Sequence, residues 1–461
     1  MRFIPFLALL TTPVFADPNH YSFTVRKLAY DGQRKTTYVL IHVSEFGSSL
    51  QLRRAFPIVG KLAQFGGMEE TFGDKGFVSL AGLEGWQKVN ASDLKVGADG
   101  SVFVGGKLSN FYKPTLLKGI RAEDYRRDLR ALQAGNTPDL TPAQREELVM
   151  AATLALLRAG AHQDRGVKAL EKKRDFPAKL FVSKIAPSGN LAEFGDSGTQ
   201  IVHGVFESPE DYLSTMHVSE KGEITFAAEI AKGRDRADMV LGRLSVEGPL
   251  QPDFGKAGLA RVSHSYLPHV KGSVSWQAED IQPTLAGWRV IATSFDGKSG
   301  GMHRLLQLDF DSNARHKPSL EKLPTIRYRF PDTGFPLDTD LYTALSKNGD
   351  SLWMVGYQHG RQRIVVHKQN LDSKGPLTRL VINEDLRPKT LHLEPGGELT
   401  IIATGAGLHR PHSRTISADG KQVIDHPVIF SNRVFAGNPS MPSDCDERFI
   451  ALLRKFLEPK K

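Results

Sequence analysis

Histidine is the residue type with metal-binding or proton-transfer chemistry that is most concentrated in the C-terminal third of this sequence. Six histidines lie within the last three apparent repeat units: His359, His367, His392, His409, His412 and His426. An imidazole binds transition metals and exchanges a proton near neutral pH. His359, His409 and His412 are therefore candidate binding residues, and the last two share a predicted loop. Separate surface histidines, each with its own hydrogen bonds, explain the same pattern.

A second candidate site is acidic. Asp332, Asp338 and Asp340 lie within one predicted loop, residues 331–340. Carboxylate oxygens are the ligands that calcium prefers. Aspartates that keep a loop in water are the alternative explanation. We therefore expect no cofactor, with calcium or a transition metal as the alternatives left open.

Several common catalytic motifs are missing from the sequence. It has no His-Glu-x-x-His pair, no Gly-x-x-x-x-Gly-Lys phosphate loop and no calcium loop of alternating acids. Asp74 and Asp196 occupy equivalent positions in two copies of a turn, which indicates a role in the turn rather than in catalysis. The sequence leaves enzymatic activity undecided and favours a protein without it.

A repeated turn organises the chain. Its copies are Phe72-Gly73-Asp74-Lys75-Gly76, Phe194-Gly195-Asp196-Ser197-Gly198 and Phe254-Gly255-Lys256-Ala257-Gly258. The last two are about sixty residues apart, and the first two are separated by about twice that length. An alternating strand and a glycine turn precede the second and third copies, at residues 180–189 and 239–248. Glycine supplies the positive φ that a tight hairpin requires.

The repeat predicts an all-β fold. A strand rhythm of roughly 50 to 65 residues continues toward the C-terminus. A unit of about four short strands cannot bury both of its faces alone, so neighbouring units must pack face to face, and a closed ring protects their edges. We predict a β-propeller of six to seven four-stranded blades, in which a strand near residues 21–28 completes a blade with the C-terminal strands.

The Phe-Gly-x-x-Gly turn resembles a known repeat. With the arginine-led strand and turn at residues 243–248 and the ending at residues 254–258, it is similar to the delta-60 repeat of bacterial exported propellers. The resemblance covers two copies well and the first in part; from residue 282 to residue 429 only the strand rhythm remains. It implies a propeller and export. It implies no catalytic residue, because these proteins are largely without assigned chemistry.

Two segments have helical rather than β patterns. Residues 114–176 include a capping box at Thr141 and an apolar face with Leu148, which predicts an inserted helical hairpin. Its surface near Leu148 is either a docking surface or a cover for a blade edge. Residues 443–461 predict a C-terminal amphipathic helix capped by Ser443. The predicted organisation is thus a signal peptide at 1–16, the propeller domain at 17–442 and this helix.

The predicted compartment and the net charge of the protein limit the binding partners that we expect. Residues 1–16 have the basic, apolar and cleavage regions of a signal peptide, and no later segment is long and apolar enough to span a membrane. We expect an exported protein, periplasmic or extracellular. The net charge of +9 favours anionic partners, but acids are interleaved with the bases, which is also typical of an ordinary polar surface. We expect a protein or envelope polysaccharide as partner and no nucleic acid.

These observations support two functions. The preferred one is an exported, non-catalytic propeller that binds a protein or envelope polymer through one face of the disc. The alternative is a propeller hydrolase or lyase that acts on an extracellular substrate at the channel mouth. Acids and histidines that converge from several blades with shifted pKa values would favour the alternative. An outer-surface adhesin is a third, weaker alternative.

Overall fold

A computed structural model describes most of the predicted strand repeats. The residues described are 20–46, 52–62, 68–81, 83, 86, 88–109, 178–208, 210–231, 237–263, 276–284, 287–294, 304–311, 327–329, 339–371, 377–394, 396–405 and 411–424. The chain divides into two compact units, Met1–Asn110 with Pro177–Lys461, and Phe111–Phe176. The second unit lies wholly outside the described residues, as do the predicted signal peptide and C-terminal helix.

The described part of the first unit is built from strands. The first sheet contains β1 His20–Asp31, β2 Thr36–Phe46, β3 Leu52–Leu62 and β4 Phe77–Ser79. The second contains β5 Lys88–Val96, β6 Val102–Ser109, β7 Lys179–Ile185 and β8 Thr199–Val202. The third contains β9 Tyr212–Val218, β10 Ile224–Ala231, β11 Ala237–Leu244 and β12 Leu259–Val262.

The remaining strands repeat this arrangement. The fourth sheet contains β13 Trp276–Pro283, β14 Gly287–Ser294, β15 Arg304–Asp311 and β16 Arg327–Arg329. The fifth contains β17 Thr339–Leu345, β18 Ser351–Gln358, β19 Arg363–Asn370 and β20 Thr378–Ile382. The sixth contains β21 Leu386–Leu393, β22 Leu399–Gly405, β23 Pro411–Ile416 and β24 Val423–Ile424. A single 3-10 turn, His359–Arg361, is the only helical element among the described residues.

Each sheet is an antiparallel meander in chain order. The first two sheets are also joined by one parallel bridge between Ala55 on β3 and Lys88 on β5, so their eight strands share hydrogen bonds. Some connections between successive antiparallel strands are short turns, and the longest is residues 110–177, which connect β6 to β7. The predicted helical insertion falls in that connection and outside the described residues.

The first strands of the six sheets form a closed ring. β1 contacts β5, β5 contacts β9, β9 contacts β13, β13 contacts β17, and β17 contacts β21. β21 in turn contacts β1. At this junction the Tyr30 and His392 rings meet edge to face with centroids 5.1 Å apart. The sheets are therefore arranged in a cycle, with the first strand of each sheet on its inner side.

The hydrophobic core lies between neighbouring sheets. β10 is buried along almost its whole length, and β6 and β18 are similar. A strand with a covered sheet on both faces needs apolar side chains on both, so the second strands have continuous apolar runs instead of strict alternation. Phe103, Leu180 and Phe226, from the second and third sheets, belong to one such cluster.

The repeated Phe-Gly-x-x-Gly turn precedes the fourth strand of each of the first three sheets. In its first copy, Gly73 has a φ of 57°, Lys75 of 54° and Gly76 of 92°, and the other two copies have nearly the same values. The Asp74 N–H donates to the Phe77 carbonyl, and the Phe77 N–H donates back. Lys256 makes the same two main-chain bonds in the third copy, so the turn does not require the aspartate side chain.

This turn also joins one sheet to the next. The Gly73 N–H donates to the Ser188 carbonyl of the second sheet at 2.8 Å, and the Gly195 N–H donates to the Glu247 carbonyl of the third at 2.7 Å. A Cβ on Gly248 would lie 2.7 Å from the Gly195 nitrogen. The glycines are thus needed both for a positive φ and for close approach of two backbones. This contact gives a physical reason for the sixty-residue repeat.

The prediction of an all-β fold is confirmed for the described residues. The prediction that a strand near residues 21–28 completes a blade with the C-terminal strands is wrong. β1 pairs with β2 and opens the first sheet, because its register with β2 extends from His20 to Asp31. Among the described residues, no helix is long and apolar enough to cross a membrane.

Candidate functional site

The first strands share an irregularity that reorients their side chains. The register of five of the six shifts by one residue, which is the signature of a β-bulge. The extra residues are Arg26, Ser92, Ser214, Glu279 and Lys389. A bulge turns the following side chain out of strict alternation, and in β5 and β13 that side chain is an aspartate.

Asp93 on β5 and Asp280 on β13 bind the backbone of the next sheet. The Met216 N–H of the third sheet donates to Asp93 Oδ2 at 2.7 Å, and the Leu345 N–H of the fifth donates to Asp280 Oδ2 at 2.8 Å. In each case the other oxygen accepts from the N–H of the following residue. Asp93 is fully buried and Asp280 nearly so. Both aspartates therefore connect neighbouring sheets.

Glu229 on β10 has the same role between the third and fourth sheets. Its Oε1 accepts the Ala278 N–H at 3.1 Å and the Ser214 hydroxyl at 2.7 Å, while the Tyr212 hydroxyl donates to its Oε2. Burial raises the pKa of Glu229 to about 7, and Glu279 adds to the rise, although these three donors oppose it. Burial also raises the pKa of Tyr212, with Glu229 adding to the effect.

Two lysines offset part of the negative charge of these buried acids. Lys27 Nζ lies 2.5 Å from Asp93 Oδ1, and Lys95 Nζ lies 4.0 Å from Asp93 Oδ2. Burial alone would raise the pKa of Asp93, but these two ammonium groups hold it below its usual range. Burial raises the pKa of Asp280, and Lys95 offsets only part of that rise. The two equivalent aspartates therefore differ in the direction of their shifts.

Glu279 is the acid of this group with the fewest main-chain contacts. The Thr293 hydroxyl donates to its Oε1 at 2.6 Å. Burial raises its pKa, Asp280 raises it further, and Lys27 of the first sheet acts against both. We call Asp93, Glu229, Glu279 and Asp280, with Lys27 and Lys95, the acid cluster. Its members come from the first four sheets of the ring.

The acid cluster is mainly structural. Three of its four carboxyls accept main-chain N–H groups from a neighbouring sheet, and these bonds occupy oxygens that a reaction would need. A buried carboxyl without such donors would be strongly destabilising. Glu279 is the exception, since it has a raised pKa and, among the described residues, accepts a hydrogen bond from a hydroxyl and not from the main chain. It is the member of the cluster with the properties of a proton donor.

The structure brings together one histidine and one aspartate from the candidates of the sequence. His359 Nε2 lies 3.0 Å from Asp340 Oδ2, on the partly exposed rim of the fifth sheet. The His359 ring also meets Tyr357 edge to face, with centroids 4.9 Å apart. This pair joins β17 to the turn after β18, where both groups remain open to solvent.

No contact between the other candidate residues is described, because most of them lie outside the described ranges. Leu148, Asp332, Asp338 and His409 lie outside them, and His412 is described only as a residue of β23. No group of three His, Cys, Asp or Glu residues that could hold a metal ion occurs in the described part of the chain. The calcium and histidine-metal hypotheses therefore remain predictions.

Sequence reasoning missed the acid cluster, although a signal was present. Ala91-Ser92-Asp93-Leu94 and Ala278-Glu279-Asp280-Ile281 share an aspartate between apolar residues, at equivalent places in two repeats. A charged residue in a predicted strand indicates a buried contact or a bulge.

Comparison with known proteins adds similarity of structure only. No family model and no curated protein matches the chain. A protein of unknown function from Dyadobacter fermentans is similar, with 10% identity, a TM-score of 0.43, and coverage of 87% of this chain and 94% of that one. The intramolecular trans-sialidase of Ruminococcus gnavus has 10% identity and a TM-score of 0.38, with coverage of 83% and 89%.

A structure from a study of two prolyl endopeptidases is also similar, with 11% identity and a TM-score of 0.38. The match covers 88% of this chain but 41% of that one. At these identities and TM-scores, the likenesses assign no activity, substrate or partner to this chain.

Proposed function

We propose that this protein is an exported six-bladed β-propeller that binds a protein or envelope polymer through one face of the disc and catalyses no reaction. The six sheets are its blades, and the cyclic contacts from β1 to β21 and back to β1 support closure of the ring. Export rests on the leader-like residues 1–16 and on the resemblance to the delta-60 repeat.

The observation that carries the non-catalytic part of the proposal is the use of the buried acids. Asp93, Glu229 and Asp280 accept main-chain N–H groups of the neighbouring sheet. Carboxyls bound in this way hold neighbouring blades together, which favours a structural role over a catalytic one. The ring then acts as a rigid platform, and binding energy comes from its surface.

The test is binding followed by chemical analysis of the ligand. The mature protein is mixed with purified envelope polysaccharide, peptidoglycan and outer-membrane protein fractions, and bound material is measured by co-sedimentation. We expect saturable binding to one fraction. The recovered ligand should have an unchanged mass profile after prolonged incubation. Absence of saturable binding to every fraction would contradict the binding function.

The alternative is a hydrolase or lyase, and Glu279 is the observation that favours it. Burial raises its pKa, which is the direction that suits a proton donor, and the positive charge of Lys27 in the first sheet acts against that rise. A Glu279→Gln variant separates the two functions. For a binding protein it leaves ligand binding and ligand mass unchanged. Shortened ligand with wild-type protein, and intact ligand with the variant, would establish the alternative instead.

A further inference from the structure

Three basic side chains meet where the first and second sheets join. Arg26 is the extra residue of the β1 bulge. His42 on β2 pairs with Thr24 of β1 and with Pro57 of β3. Lys88 opens β5 and forms the single parallel bridge of the junction, with Ala55 of β3.

The strand registers place Lys88 and His42 on one face of the first sheet, and Arg26 is near enough to act on the charge of both. Ala55 pairs with Ser44, which is two residues along β2 from His42. Residues two apart in a strand lie on the same face of a sheet. The bridge to Ala55 therefore brings Lys88 to the face of the first sheet that includes His42. We call Arg26, His42 and Lys88 the cationic cluster.

His42 has a buried ring nitrogen without a hydrogen-bond partner among the described residues. This nitrogen is Nε2, and the side chain is only 8% exposed. Nearly all buried polar atoms in folded proteins are hydrogen-bonded. An imidazole nitrogen left free beside two cations is suited to a ligand atom that accepts hydrogen bonds.

The positive charge of the cluster is not neutralised by described residues. Burial lowers the pKa of His42 to about 4, and Arg26 and Lys88 contribute to the shift. Burial also lowers the pKa of Lys88, with Arg26 adding to the effect. Within the described ranges, no acidic side chain forms an ion pair with Arg26 or Lys88. The next lysine, Lys107, interacts with Asp211 and Glu210.

We propose that the cationic cluster binds an oxyanion group, a carboxylate or a phosphate, of an anionic envelope polymer. This inference rests on the proposed binding function and names the chemistry of its ligand. The exposed guanidinium of Arg26 can hold two oxygens, Lys88 supplies a point charge, and the His42 Nε2–H donates a third hydrogen bond. The overall charge of +9 attracts a polyanion to the protein.

The test uses two small probes, galacturonate for the carboxylate and inorganic phosphate, titrated into the mature protein at low ionic strength by calorimetry. Arg26→Gln and Lys88→Met should each weaken binding about tenfold or more, since each removes a charged hydrogen-bond donor. Lys256→Met removes an equal charge from an exposed turn of the third sheet and should leave the affinity unchanged. The probe that binds with the higher affinity identifies the oxyanion that the site prefers.

A pH series provides a second readout. A bound anion stabilises the protonated imidazole, so galacturonate, which stays ionised over this range, should bind more tightly as the pH falls from 7 to 5 in the wild type but not in His42→Gln. Arg26 is exposed, so its variant tests the site even if Lys88→Met does not fold. Equal losses in Lys256→Met, or no binding of either probe, would overturn the inference.

A final arm separates this inference from the proposed function. If Arg26→Gln and Lys88→Met bind the envelope fraction as tightly as the wild type does, the cationic cluster is not its site, while the binding function stands. If an acidic peptide competes for the site and the polymer does not, the assignment to a polymer is wrong.

Discussion

At the scale of the residue, Asp93 and Asp280 show how the surroundings decide what a carboxyl contributes. Both follow a bulge, and both accept two main-chain N–H groups. Asp93 also has Lys27 at 2.5 Å, whereas burial outweighs the attraction of Lys95 at Asp280. The ionised form is therefore favoured at one position and disfavoured at the other.

This difference predicts unequal effects of the same substitution. Asp93→Asn should lower the free energy of unfolding by about 3 kcal/mol, because it leaves Lys27 without its partner. Asp280→Asn also turns an amide NH2 toward one of the two main-chain N–H groups, but it separates no close ion pair, so its cost should be smaller by at least about 1 kcal/mol. Urea unfolding at pH 7 measures both. A larger cost for Asp280→Asn would show that the contact with the next sheet, and not charge, dominates.

Glu229 predicts a pH dependence of stability. Its folded pKa of about 7 lies above the ordinary glutamate value of 4.5, so between these values the native state binds more protons than the unfolded state. This contribution to stability is present below pH 4.5 and is lost as the pH rises through 7, by about 3 kcal/mol in total. The free energy of unfolding of Glu229→Gln, measured with urea and compared with that of the wild type, should therefore rise by that amount between pH 4.5 and pH 8.

Glu223 is the matched control, because its hydrogen bonds to Gln251 and Arg243 lower its pKa despite the opposing effect of burial. Glu223→Gln should therefore show no such gain above pH 5. The same pH dependence in both variants would mean that Glu229 does not titrate as described.

At the scale of the element, the repeated turn is a connection between sheets as well as a hairpin. Gly248 has a φ of 111°, and a Cβ there would lie 2.7 Å from the Gly195 nitrogen. Gly222 also has a positive φ, of 85°, but a Cβ there would meet nothing closer than Val246 Cγ1 at 4.0 Å. Substitutions at these two glycines therefore separate the free-energy cost of a positive φ from the cost of a steric contact between two backbones.

Gly222→Ala should cost about 1 kcal/mol, since only the positive φ is unfavourable. Gly248→Ala should cost at least about 2 kcal/mol more, because two backbones must move apart and the Gly195 hydrogen bond is lost. Thermal unfolding measures both. Equal costs would show that the contact between the second and third sheets is not tight in solution.

At the scale of the whole molecule, the structure closes through contact between the first and last sheets rather than through a shared sheet. β1 and β21 belong to different meanders, and Tyr30 meets His392 across the junction. Closure therefore depends on side-chain packing. No hydrogen-bonded strand pairing within the described residues links the two sheets.

A double-mutant cycle tests closure. Tyr30→Ala and His392→Ala should couple by about 0.5 to 1.5 kcal/mol, the range of an edge-to-face aromatic contact. Tyr30→Ala combined with a substitution of Trp288, in the fourth sheet, should be additive. The free energy of unfolding is the measured quantity. No coupling between Tyr30 and His392 would indicate an open ring.

The amino-acid sequence by itself determined the strand rhythm and the turn chemistry. It predicted strands at residues 180–185 and 239–244, where the structure has β7 and β11, because alternation and glycine turns are local properties. The burial of Phe72 and Phe194 also follows from the repeat. The tertiary structure alone decided which sheet begins the ring, and it brought Asp93, Glu229 and Asp280 to the backbone of the next sheet. Such contacts join residues up to 123 positions apart, and no local pattern specifies a partner at that distance.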